Sequence, residues 1–312
     1  MNLLKAVLVT SLTLALTFGL SRPWGSIPAV GPLLSPFTGF WQNAESVGNS
    51  LSNRELTIVG TRQPITVVFD DLSVPHVFAQ SDYDVYFAQG YLTARDRLWQ
   101  MEFQTHAAAG RLAEVVGERA LEFDRFNRRL GMGYGAEQSI RAMMADPKSR
   151  ESIDAYTAGI NAWIGQLKPA QYPVEYKLLG YAPEPWVPIK CAYLLKQLTS
   201  TLASGADDLL MTNVLQKYGP ALTADLFPNY PAAEDPIIPV GTKWGFLPLE
   251  LPASPELIGP IRDPVTLTWP RHDAGIGSNN WAVGPQKSAT GYPILANDPH
   301  LTLSLPSIWY QI

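Results

Sequence analysis

The stretch from Gly275 to Gly284, Gly-Ile-Gly-Ser-Asn-Asn-Trp-Ala-Val-Gly, sets Ser278 between a glycine and two asparagines, just ahead of a strand-like Trp281-Ala282-Val283. A serine hydroxyl is a poor nucleophile without a base beside it. One solution needs no histidine. If the chain is cut before Ser278, the liberated α-amine sits on the same residue as the hydroxyl. Such an amine titrates near pH ~8 and can take the hydroxyl proton directly or through water. Gly277 suits the cut, because it sets no side chain against the attacking hydroxyl and tolerates the strained backbone of an N-to-O acyl shift. Gly-Ser-Asn-Asn is equally an ordinary turn entering a strand. The spacing alone leaves both readings open.

Several other chemistries are excluded. Gly275 to Asn280 resembles the start of a dinucleotide fingerprint, but Asn280 stands where the third glycine is needed and a strand follows instead of a helix. No G-x-S-x-G elbow surrounds a serine, and there is no Walker A sequence, H-E-x-x-H or EF-hand loop. The four histidines, His76, His106, His272 and His300, are scattered. Cys191 is the only cysteine, which rules out an internal disulfide and a Cys-rich metal site. A net charge of −5 without a positive stripe argues against nucleic acid as a partner. With 46% hydrophobic and 16% charged residues, the 312-residue chain has the composition of a folded protein of one or two domains.

The elements that must position Ser278 begin far upstream. Lys5 precedes an uncharged run from Ala6 to Leu20, of signal-peptide length and short for a membrane span, and no clear small-x-small cleavage site follows. Residues 1–21 are therefore a signal peptide or an N-terminal anchor, and the Pro-, Gly- and Ser-rich residues 22–50 read as a linker. Ile65, Val67 and Phe69 alternate along a strand expected to be mostly buried, Asp70-Asp71 turns, and Val74 to Phe78 extends again. Ser81 with Asp84 three residues on starts a long helix that runs without proline to Gly117. Within it, Gly90 and Gly110 either admit another backbone or break the helix. Asp146 with Pro147 caps a second helix, whose Ile153, Tyr156, Ile160, Ile164 and Leu167 repeat at helical spacing up to Lys168-Pro169. One or two further helices run from Ile189 to Gly219. Eleven of the 27 prolines then fall between Pro220 and Pro270, an extended, surface-lying segment. Ser278–Gly284 and Gly291–Asp298, separated by Pro285–Thr290, read as a hairpin.

Three motifs in order decide the open question. Gly277-Ser278-Asn279-Asn280-Trp281-Ala282-Val283, then Lys287 to Gly291, then Leu295-Ala296-Asn297-Asp298-Pro299-His300, resemble the processing site and first residues of the second subunit of the penicillin acylase (penicillin amidase) family of N-terminal nucleophile (Ntn) hydrolases. The run from Val74 to Gly117 is similar to that family's first-subunit signature, and Leu178 to Pro188 to its later loop. The resemblance covers roughly residues 55 to 312.

It implies an α+β fold, the αββα Ntn-hydrolase sandwich, incomplete in this sequence. It implies an exported precursor, periplasmic or membrane-anchored facing the periplasm, that cuts itself between Gly277 and Ser278. Ser278 would then hydrolyse the amide of an N-acyl compound such as a β-lactam, an acyl-homoserine lactone or a peptide-like amide. His300 falls where members carry His or Gln near the nucleophile, which implies a positioning role; plain structural packing is the competing reading. Many members bind calcium, and alignment through Leu209 to Gly219 places one ligand near Asp208, with Asp207 as the alternative. An exposed acid pair at a helix start explains the same residues.

On this reading residues 51–219 form a mainly helical first-subunit region. Residues 220–277 are its Pro-rich end and spacer, and residues 278–312 begin the second-subunit core. Ser278 to Ile312 is 35 residues, against several hundred in the family's second subunit, which would hold the oxyanion donors and most calcium ligands. The expectation is an N-terminal part of an acylase precursor, inactive by itself. The alternative is a non-catalytic exported or membrane-tethered binding or scaffold protein that retains the acylase framework.

Overall fold

The structure is a computed structural model that describes residues 2–25, 27–47, 55–202, 208–228, 241–243, 245 and 275–312. Most of the Pro-rich stretch and Asp207 lie outside the described residues. The chain divides into two compact units, Met1–Leu202 with Thr302–Ile312, and Ala203–Leu301.

The first unit opens with helix α1 (Asn2–Leu20) and the short helix α2 (Trp41–Val47). The latter falls inside the segment expected as a linker. Strands β1 (Thr66–Phe69) and β2 (Pro75–Phe78) pair antiparallel, with Val67 opposite Val77. The Asp70 carboxylate closes their turn by accepting the N–H groups of Leu72 and Val74, both at 2.9 Å. The strand expected to be mostly buried is only half-buried at Ile65 and Val67, with Phe69 39% exposed and Val68, on the other face, 51% exposed. No third strand pairs with this hairpin among the described residues, and its cover is partial: Pro75 is buried, and the Arg95 guanidinium of the following helix lies 4.8 Å from the Phe69 ring centroid.

Helix α3 (Asp82–Ala109) starts where its caps require, with the Ser81 hydroxyl accepting the Asp84 N–H at 3.2 Å. It stops at Gly110, not at Gly117. Gly110 adopts a left-handed φ of 66°, and the Arg111 N–H bonds the His106 carbonyl at 2.8 Å. Helices α4 (Ala113–Val116), α5 (Leu121–Arg129) and α6 (Met132–Ala145) come next. Helix α5 holds these ends together. The Asp124 carboxylate accepts the N–H groups of Leu112 and Ala113 at 2.8 and 2.7 Å, and Asn127 donates to the Ala107 carbonyl at 2.7 Å. Helix α7 (Pro147–Gln166) begins with the Asp146 carboxylate accepting the Ser149 N–H at 2.8 Å, as its sequence predicts. Helices α8 (Val174–Leu179) and α9 (Pro188–Leu202) complete the unit.

Helices α3 and α7 form its centre. A Cβ on Gly90 would strike the Tyr156 carbonyl oxygen, and one on Gly159 the Phe87 carbonyl oxygen, so two glycines let the backbones touch. Ala94, Leu98, Met101, Ile160, Tyr176 and Trp186 pack around that contact. The proline-punctuated loop is locked on by a reciprocal pair. The Trp186 N–H donates to the Asn161 side-chain oxygen at 2.8 Å, and the Asn161 amide donates to the Trp186 carbonyl at 2.9 Å.

The second unit contains helix α10 (Asp208–Leu226), broken at Gly219 (φ 75°, ψ 168°) with Pro220 restarting it. It also contains strands β3 (Gly277–Val283) and β4 (Ile294–His300), the expected hairpin. Helices with, among the described residues, two two-stranded antiparallel sheets make the fold α+β, as expected.

The glycine contact is testable. Gly159→Ala forces a methyl onto a backbone carbonyl that cannot rotate away, and overpacking of this kind costs about 2–3 kcal/mol. The expected result is a lower urea midpoint with an unchanged m-value; an unshifted midpoint would show that the helices separate freely.

Candidate functional site

Strand pairing decides which side chains meet at the Gly277–Ser278 bond. Gly277 lies opposite His300 and Ser278 opposite Pro299. Directly opposed residues of an antiparallel pair share a face, and neighbours along a strand alternate. His300 therefore lies on the face of Gly277, and the Ser278 side chain points to the other. A Cβ on Gly277 would come within 3.8 Å of His300 Nδ1. The structure brings His300 to the glycine and not to the serine hydroxyl.

Ser278 Oγ donates instead to the Gly277 carbonyl oxygen at 2.7 Å. The hydroxyl thus rests against the carbonyl group whose carbon an N-to-O acyl shift would attack. In the uncut chain the Ser278 nitrogen is an amide and not a base, so the hydroxyl keeps its proton and polarises the carbonyl. His300 Nε2 lies 2.9 Å from Asp298 Oδ2. An Nε2–H donated to that carboxylate leaves Nδ1 as an acceptor facing Gly277. Asp298 as the partner of His300 was not singled out from the sequence. The signal was present, since residues two apart on a strand share a face.

Asp208 is exposed at the first turn of α10, a position that the helix dipole favours for a carboxylate without any ion. Calcium takes six to eight oxygens. Among the described residues Asp208 belongs to no cluster of three or more potential ligands. It does not by itself compose a calcium site.

A second group of titratable side chains lies in the first unit. Glu102 is 1% exposed on α3; its Oε2 accepts the Tyr176 hydroxyl at 2.8 Å and the Glu184 backbone N–H at 3.2 Å. His106 Nδ1 lies 3.0 Å from the Glu102 carbonyl, and its Nε2 lies 3.7 Å from Glu184 Oε1. Glu184 also meets Arg111 at 2.9 Å and Lys190 at 3.2 Å. Glu102, His106 and Glu184 have metal-like proximity. Two cations, Arg111 and Lys190, already hold Glu184, however. The arrangement is an ion network that clamps the Glu184–Trp186 loop onto α3. Burial pushes the Glu102 carboxyl up, only partly offset by the Tyr176 hydrogen bond and Lys190. Burial also works upward on Glu184, but Arg111 and Lys190 outweigh it and bring that carboxyl down to about 2. The i, i+4 spacing of Glu102 and His106 is visible in the sequence; their partners 74 and 82 positions away are not.

The two shifts act oppositely on stability. Glu184, with its folded value depressed, stabilises fully above its ordinary value of 4.5 and loses that stabilisation as pH falls towards 2. Glu102, with its folded value raised, contributes below 4.5 and loses the contribution as pH rises through the folded value. Glu184→Gln should therefore lower the urea midpoint clearly at neutral pH, with the gap to wild type closing between about pH 4.5 and 2. A gap independent of pH would mean that Glu184 acts through packing and not through charge.

Known proteins are similar to this chain in sequence. The penicillin amidase family model matches residues 64–312. The chain is 35% identical over 260 residues to the penicillin acylase 2 proenzyme of Pseudomonas sp. (strain SE83), covering 82% of this chain and 32% of that protein. It is 34% identical over 258 residues to the acyl-homoserine lactone acylase QuiP of Pseudomonas aeruginosa, covering 82% of this chain and 30% of that protein. The chain thus spans about a third of the length of these curated relatives. A thermostable penicillin G acylase from Alcaligenes faecalis shares a TM-score of 0.48 and 24% identity over 58% of this chain and 100% of that chain.

Proposed function

The chain belongs to the penicillin amidase family, and from that premise we propose that it supplies the nucleophile of an exported acylase precursor, Ser278. What carries the reading is the contact of Ser278 Oγ with the Gly277 carbonyl oxygen at 2.7 Å, inside the motif Gly277-Ser278-Asn279-Asn280-Trp281. Ser278 Oγ attacks the Gly277 carbonyl carbon, and the C–N bond breaks with its proton moving to nitrogen. Water then hydrolyses the resulting ester, leaving a Gly277 carboxylate and a free Ser278 amine and hydroxyl.

The same hydroxyl then works on substrate. Its proton passes to the new α-amine as Oγ bonds the amide carbonyl carbon. The α-amine returns the proton to the leaving nitrogen, and water releases the acid from the acyl-enzyme. The substrate class is an N-acyl amide, in keeping with the relatives' names, which include a penicillin acylase and an acyl-homoserine lactone acylase. His300, held by Asp298 at 2.9 Å, is a positioning residue on the face that Gly277 leaves. Calcium has one prospective oxygen ligand here, Asp208, and no step passes through it. Export rests on the charge-free run of α1.

The deciding experiment is the intact mass of the protein purified from cells that express its gene. A fragment beginning with a free amine at Ser278 is expected. Ser278→Ala should leave the Gly277–Ser278 bond whole and lower amide hydrolysis by at least about a thousandfold. Active protein with that bond uncut would overturn the reading. For His300, the alanine variant should raise KM or slow kcat while His300→Gln retains most activity; equal loss in both would assign it a purely structural place.

A further inference from the structure

We propose that α1 is never removed, and that the segment after it, residues 23–41, lies in the headgroup layer of a lipid bilayer as a collar joining anchor to body. Neither part depends on the acylase reading. Helix α1 carries no charge from Ala6 to Leu20, and none of its membrane-length stretch Leu3–Leu20 is buried. Its 19 residues span roughly 28 Å at 1.5 Å per residue, close to the ~30 Å of a hydrocarbon core. Signal peptides share those features, so the residues beyond Leu20 make the distinction.

No Asp, Glu, Lys or Arg occurs between Pro23 and Ala44. A linker running through water is polar; this one exposes Trp24, Ile27, Phe37 and Trp41, with Phe37 81% and Trp24 60% accessible. Aromatic side chains with a polar edge gather at the membrane–water boundary, where one end is apolar and the other wet. Arg22 stands between helix and collar, its guanidinium 4.0 Å from the Phe18 ring centroid, as a cation does when its stem lies in apolar surroundings and its head reaches the interface.

The helix end is stapled to the collar. Trp24 Nε1 donates to the Gly19 carbonyl at 2.6 Å, and the Gly31 N–H donates to the Leu20 carbonyl at 2.7 Å. The Ser21 N–H continues the helix to Thr17 at 3.1 Å. Gly19-Leu20-Ser21, a small-x-small triplet not singled out from the sequence, has both its Gly19 and Leu20 carbonyls engaged by these bonds. At its other end the collar is fixed to the body. Lys177 Nζ donates to the Gly39 carbonyl at 3.0 Å and to Asn43 Oδ1 at 2.6 Å, and Asn43 donates to the Tyr172 carbonyl at 2.9 Å. Anchor and helical body are thereby joined through a folded segment.

The test uses the full chain with its own N-terminus, produced in a bacterium with an intact export system. Membranes washed with alkaline carbonate should retain protein whose mass includes the Asn2–Leu20 segment; product that begins beyond Leu20 overturns the anchor. Detergent-extracted protein is then placed in phosphatidylcholine vesicles brominated near the headgroup. Tryptophan emission should be quenched, and Trp24→Tyr/Trp41→Tyr should lose at least half of the quenching although seven of the nine tryptophans remain. Equal quenching in both proteins overturns the collar even where the anchor is retained.

Discussion

The first unit depends on two helix backbones in direct contact. Gly90 on α3 meets the Tyr156 carbonyl and Gly159 on α7 meets the Phe87 carbonyl, so the crossing tolerates no Cβ at either place. Such an approach brings both helix faces into one packed layer, and each large apolar side chain buried there contributes about 1.5–3 kcal/mol. Leu98, Ile160, Tyr176 and Trp186 occupy that layer. The contact also fixes where Glu102 points, because it lies on α3 one turn beyond Leu98. A carboxylate buried that deeply costs several kcal/mol unless it is held. Tyr176 and the Glu184 N–H hold it, and Glu184 in turn requires Arg111 and Lys190. A steric constraint at two glycines thus propagates into an ionic one, and the ionic one pins the loop carrying Trp186.

Much of this was legible because it is local. Ser81 with Asp84, and Asp146 with Pro147, announce helix starts that the structure places at those residues, since a cap acts within one turn. Gly90 and Gly110 were ambiguous between close approach and helix break. Gly90 faces another backbone, while Gly110 does both, taking the left-handed conformation that ends α3 with the Asp124 carbonyl oxygen 2.8 Å from where a Cβ would stand. Helices α5 and α6 have weaker local signals: Gly133 and Gly135 interrupt the pattern of α6, and α5 is tied down by Asp124 and Asn127 reaching residues 11 to 20 positions away. The β1–β2 hairpin, expected to be mostly buried and only partly covered, differs for the converse reason. Alternation shows that a strand has an apolar face and says nothing of whether anything covers it.

At the candidate site the sequence marked Gly277, Ser278 and His300, but only the strand register shows which of them share a side. The period of two puts His300 with Gly277 and turns Ser278 away, and that separation bears on the chemistry. An imidazole on the opposite face is not placed to take the serine proton, and under the proposed reading the base arises on the serine's own residue. Before a cut that residue offers only an amide nitrogen, and its hydroxyl donates to the Gly277 carbonyl. After a cut the same position carries an amine, and the carbonyl that had occupied the hydroxyl is gone. Under the proposed reading one covalent event turns Oγ from a nucleophile towards its own chain into a nucleophile towards substrate. It also vacates the place beside His300 Nδ1, which puts the imidazole next to the new terminus and not in the bond-making step. The strand register separates the two residues, in keeping with the proposed division into proton chemistry at position 278 and orientation at position 300.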